Sequence, residues 1–81
     1  PPVEFFRGLN ALLDERFDEA NEQLGSIAKD PSHRFYEPAQ WYYALSLIML
    51  DKEDEAVSLL NSISEGQSTY AAQAADFIDE L

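Results

Sequence analysis

Apolar residues recur along this chain at three- and four-residue intervals, in blocks separated by short polar runs. The densest block is Ala39 to Leu50, where Trp41, Ala44, Leu45 and Ile48 follow the i, i+3, i+4, i+7 spacing of one helical face. Tyr43, Leu47 and Leu50 cover a second face, with Gln40 and Ser46 as the polar interruptions, so this helix should be buried on more than one side. Asp51-Lys52-Glu53-Asp54 then makes a polar turn, its last acids placed where the positive end of a new helix dipole favours them. From Glu55 the pattern resumes with Ala56, Leu59, Leu60 and Ile63. Two helices joined by so few residues run antiparallel. Ala39–Ile63 is therefore read as an αα-hairpin.

The flanking segments carry the same period. Val3 to Leu13 places Phe5, Leu9 and Leu12 on one face with Gly8 beside them. A glycine inside a helix costs about 1 kcal/mol relative to alanine, which implies close approach by a neighbouring helix. Asp14-Glu15-Arg16 turns the chain into Phe17–Lys29, with Ala20, Leu24 and Ile27 inward and Asp18, Glu19 and Glu22 in water. Lys29 and Pro31 are stop signals. Asp30–Tyr36 connects to the next hairpin, whose first turn holds Pro38, and Phe35 and Tyr36 are expected to tuck beneath it. Glu65-Gly66-Gln67-Ser68 is a loop in which Gly66 suits a left-handed helix end. Ser68 or Thr69 is the expected N-cap of a last helix, Tyr70–Glu80, with Ala71, Ala74, Ala75, Ile78 and Leu81 facing inward. Pro1 and Pro2 lead into the first helix. The prediction is one all-α domain of five helices and no strands.

Displacing the chain by 36 residues superimposes its halves without a gap. Phe5 falls on Trp41, Phe6 on Tyr42, Gly8 on Ala44, Leu9 on Leu45 and Leu12 on Ile48. Arg16 falls on Lys52, Asp18-Glu19-Ala20 on Asp54-Glu55-Ala56, Leu24 on Leu60 and Ile27 on Ile63. A fixed period with two helices in each copy marks a solenoid, in which one hairpin buries its neighbour's open face. The repeats run over about residues 3–29 and 39–65, and the helix over 69–81 reads as a cap on the second.

These residues resemble the tetratricopeptide repeat family. Its small residue in the first helix matches Gly8 and Ala44, its alanine in the second helix matches Ala20 and Ala56, and the large apolar residue four positions on matches Leu24 and Leu60. Departures are the aromatic displaced by one position, at Phe5 and Trp41, the closing proline present only as Pro31, and a period longer than the usual value of about 34. These features look more like the degenerate repeats of bacterial envelope proteins, so a bacterial cytoplasmic or periplasmic setting is the expectation drawn from the likeness. The resemblance implies an all-α superhelix of two hairpins and a cap, acting as a non-catalytic scaffold for another protein. It places a concave groove at Phe5, Phe6, Leu9 and Leu12 in the first copy and at Trp41, Tyr42, Leu45 and Ile48 in the second. Family members that clamp a C-terminal carboxylate use basic and amide side chains there, which this chain lacks. The implied ligand is an apolar segment with basic flanks. Aromatic residues at helical spacing more often form a core, and that reading carries the greater weight here.

Charge narrows the partners. Five basic residues against 16 acidic ones give a net charge of −11, which argues against nucleic acid and anionic membranes. No apolar run approaches the length of about 20 residues that spans a bilayer. Cysteine is absent, which excludes disulfides and thiolate metal sites. His33, the sole histidine, lies in a polar loop without the partners that catalysis or a metal would need. Asp51–Glu55 lacks the alternating acids and central glycine of a calcium loop. Neither a cofactor nor a metal is expected, and no catalysis. Two alternatives stand beside the scaffold. One is a structural piece of a longer array, self-associating through an exposed Phe5/Phe6 face. The other is a regulatory module of a larger bacterial protein, attached to an enzyme or to a membrane anchor, since a chain opening at Pro1 without methionine is expected to be processed or partial.

Overall fold

The computed structural model describes residues 3–81, so the expectation for Pro1 and Pro2 lies outside the described residues. Among the described residues there are five helices and no strand: α1 (Val3–Leu13), α2 (Phe17–Ala28), α3 (Tyr36–Met49), α4 (Glu53–Glu65) and α5 (Ala71–Glu80). α3 begins three residues before Ala39, because Pro38 needs no hydrogen-bonded amide in a first turn and the helix extends back through it. Each helix packs on the one before it, most extensively α1 on α2 and α2 on α3, and α1 also touches α3. The chain extends 31 × 27 × 16 Å. Its thinnest dimension suits two layers of helices, whose axes pack about 8–10 Å apart.

The 36-residue displacement is present in the backbone. α1 and α3 end in the same way: the Arg16 N–H donates to the Ala11 carbonyl at 2.8 Å and the Glu15 N–H to Leu12 at 3.1 Å. In the second copy the Lys52 N–H donates to Leu47 at 2.8 Å and the Asp51 N–H to Ile48 at 3.0 Å. This paired pattern is a Schellman motif, in which the residue after the helix takes a left-handed conformation and is usually glycine. Here that residue is Glu15 (φ 64°) in one copy and Asp51 (φ 62°) in the other. Gly66, expected to be left-handed, is instead extended at φ −92°, ψ −169°. The loop after α4 therefore leads away without a Schellman turn.

Two clusters form the core. Phe5, Ala11, Ala20, Leu24 and Ile27 anchor the first, and Ala44, Leu60, Ile63 and Ala74 the second, with α3 contributing Ala39 to one and Ala44 to the other. Six of the buried residues are fully enclosed alanines (Ala11, Ala20, Ala39, Ala44, Ala56 and Ala74), and such small side chains let helix axes approach closely. Space is tightest at two glycines. A Cβ on Gly8 would lie 2.8 Å from Leu24 Cγ, and one on Gly25 2.9 Å from Tyr43 Cε1.

Two details depart from the sequence reading. Ser46, a polar interruption, is fully buried; its hydroxyl donates to the Tyr43 carbonyl at 2.7 Å and accepts from Asn21 Nδ2 at 3.3 Å. Those two bonds remove the penalty of burying it and tie α3 to α2. α5 is turned by about one position from the expected face: Ala75 is exposed, and Tyr70 and Phe77 pack inward with Ala74 and Ile78. Aromatic rings bury far more apolar area than alanine methyls, and they set the orientation.

Candidate functional site

The eight residues that the repeat pattern offered as a groove divide into two groups. Phe5 is buried and stacks on Phe35, centroids 4.8 Å apart and planes 12° from parallel. Phe6 meets the edges of both rings and stays half exposed. Tyr42 bridges from Phe5 at 6.2 Å to Tyr70 at 6.5 Å. Trp41 stacks on Tyr70 at 5.8 Å and meets Phe77 edge-on at 6.0 Å. These aromatics form a continuous seam joining α1, the connector, α3 and α5. Leu9 packs against the first core cluster. In these positions the rings hold helices together.

Leu12, Leu45 and Ile48 are gathered elsewhere. With Leu13, Phe17, Met49, Phe77 and Glu15 they line an apolar trough of about 420 Å³. α1, α3 and α5 supply most of its lining, with Phe17 from the start of α2. Leu13 and Met49 stand on its rim, 73% and 53% exposed, and the repeat displacement carries one onto the other. Exposure of large apolar side chains beside a concave surface is the pattern of an interaction site. Seven of the eight lining residues are apolar, and Glu15 is the one that carries charge.

Sequence reasoning passed over Leu13, Phe17, Met49 and Phe77 because Leu13 and Met49 end their helices, Phe17 begins its own, and the alanines of α5 obscured Phe77. The signal for two of them was available, since an exposed apolar residue at the same place in both copies is not needed for either hairpin's core. Gly25 was also passed over, although a second glycine inside a helix raised the same question as Gly8.

The connector and the last loop are fixed by polar contacts. Asp30 Oδ1 accepts from the Ser32 hydroxyl at 2.7 Å and the Ser32 N–H at 3.1 Å. These bonds, with a smaller contribution from His33, hold the Asp30 carboxyl below its ordinary range against slight desolvation. His33 Nδ1 accepts from the Phe35 N–H at 3.0 Å, which helps set the ring that Phe5 stacks on. Glu37 Oε2 accepts from both the Thr69 N–H and hydroxyl at 3.2 Å, pinning the α4–α5 loop to the start of α3. No side chain caps α5 directly; the Tyr70 N–H donates to the Ser68 hydroxyl at 3.1 Å just before it. Burial raises the Tyr70 hydroxyl above its ordinary value, and Tyr42 and the Glu37 carboxylate add to the effect. Among the described residues no three histidine or carboxylate side chains meet as a metal set, and no helix is long and apolar enough to cross a membrane.

No known protein family, no curated protein and no solved structure matches the chain.

Proposed function

We propose that this chain is a tetratricopeptide-like repeat module that binds an apolar segment of another protein in the trough between α1, α3 and α5, without catalysis. The observation that supports this reading most directly is the exposure of Leu13 and Met49 on the rim of a surface otherwise lined by Leu12, Phe17, Leu45, Ile48 and Phe77. The net charge of −11 disfavours acidic partners and favours apolar segments flanked by lysine or arginine. Amide shifts on adding a synthetic amphipathic peptide with a leucine face test the reading. They should concentrate at Leu12, Leu45, Ile48 and Phe77 and vanish in Leu13→Asp and Met49→Asp variants. Both replaced side chains are already in solvent, so stability should move by no more than about 0.5 kcal/mol. Binding that survives both substitutions would remove the trough from consideration.

A second reading has its own observation. Phe6 and Val3 are 48% and 49% exposed on α1, an apolar surface on which a further hairpin of a longer array would stack. Concentration-dependent sedimentation that Phe6→Asp abolishes, with Met49→Asp inert, would favour this structural role over the binding role.

A further inference from the structure

Glu15 occupies a position that its own helix would fill with less strain by glycine. It is the left-handed residue of the turn closing α1, and a side chain with φ near 64° is crowded against its own backbone. The same residue supplies the one carboxylate in the apolar trough. Its neighbour Arg16 is engaged with Asp14 at 3.2 Å and with Glu19, and among the described residues Glu15 pairs with no cation. A strained acid without a partner, set beside Leu12, Leu13 and Phe17, is complementary to a cation that arrives with an apolar ligand.

We infer that Glu15 is the specificity residue of the trough: it selects partner segments in which a lysine or arginine stands beside the apolar residues. This rests on the proposed binding role of the trough and adds the charge that the trough reads. The apolar residues supply contact area, and the Glu15 carboxylate accepts from the ammonium or guanidinium at the rim, where a wrong acidic partner would be repelled. The occupant is a segment of a partner protein, because a second copy of a chain with a net charge of −11 would meet like charge.

The test compares three synthetic amphipathic peptides sharing one leucine face and carrying lysine, glutamine or glutamate beside it. Each is titrated by calorimetry into the wild-type chain, Glu15→Gln and Glu65→Gln. Glutamine keeps the backbone conformation of position 15, and Glu65→Gln removes the same charge from an exposed site that does not line the trough. The lysine peptide should bind best, and Glu15→Gln should weaken it about threefold, the size of an exposed ion pair. The same substitution should erase its advantage over the glutamine peptide, while Glu65→Gln does neither. Equal binding of lysine and glutamine peptides at the trough, or equal losses from both substitutions, overturns the role of Glu15 and leaves the trough reading standing. Absence of amide shifts at Leu45, Ile48 and Phe77 with every peptide overturns both. A dimer in free solution that buries Leu13 and Met49 also overturns the inference, since the occupant would then be a second copy.

Discussion

The two hairpins carry the same turn between their helices and the same alanine–leucine pair in the second helix, but they are not equally packed. α1 packs more extensively on α2 than α3 does on α4, and the joint between hairpins, α2 on α3, is as extensive as the first. Both extensive joints contain a glycine: Gly8 faces Leu24 between α1 and α2, and Gly25 faces Tyr43 between α2 and α3. The 36-residue equivalents of those glycines are Ala44 and Asn61, and the α3–α4 and α4–α5 joints have no glycine between them. Removing one methyl group from a helix face lets the opposing side chain reach the backbone. The second half has no such glycine, and the rings of Trp41, Tyr70 and Phe77 pack against its cluster.

The packing of α1 on α2 depends most on Gly8. Alanine there should gain about 1 kcal/mol of helix propensity but push against the enclosed branch of Leu24, an overpacking cost of about 1–3 kcal/mol. Gly8→Ala should therefore destabilise the chain by about 1 kcal/mol net in urea unfolding. Ala44→Gly should lose a similar amount for the opposite reason, helix propensity and an emptied contact. A stabilising Gly8→Ala would show that the first joint is not limited by space.

A smaller effect is expected at the two matched turns. Glu15→Gly should raise stability by about 0.5–1 kcal/mol, since left-handed strain of about 1–2 kcal/mol is relieved and partly offset by a freer unfolded chain. Asp51→Gly should gain less, because a short polar side chain tolerates that conformation better. Thermal unfolding of the two variants, measured side by side, checks the order.

The smallest effect distinguishes the halves by pH. The Tyr70 hydroxyl is raised in the folded chain, so the folded form holds its proton longer than the unfolded form does. The stability it supports is complete below the ordinary tyrosine value of about 10 and declines as pH rises through the raised value. Alkaline unfolding of the wild type should therefore fall more steeply than that of Tyr70→Phe. Early exposure of Trp41 to acrylamide, ahead of loss of the first hairpin, would place the loosening at α5. Identical profiles would exclude the Tyr70 hydroxyl as its source.

Much of this was legible in the chain. α1 runs over the residues that its period predicted, and α2 departs by one residue at its end. The inward positions of α2, Ala20, Leu24 and Ile27, are buried as the pattern required. The candidate site was legible only in part: Leu12, Leu45 and Ile48 line the trough, while Phe5 went to the core and Trp41 beneath α5. Periodicity states that a side chain lies on an apolar stripe, and it cannot state which neighbour covers that stripe. In α5 the ambiguity was greatest, because alanines at 71, 72, 74 and 75 leave the stripe without a clear edge.

By itself the sequence determined the helices, their antiparallel pairing and the displacement of 36 that makes one hairpin repeat the other. These follow from local chemistry: the spacing of apolar residues, polar turns too short for anything but reversal, and small residues where helices must meet. The left-handed turns at Glu15 and Asp51 are local too, but acids stand there where glycine would have marked them; tertiary structure alone decided that buried Ser46 finds a partner in Asn21. It also decided that Leu13, Met49 and Phe77 join Leu12, Leu45 and Ile48 around one trough. Those outcomes depend on residues far apart in the chain arriving at the same place, which helix packing sets and no local pattern records.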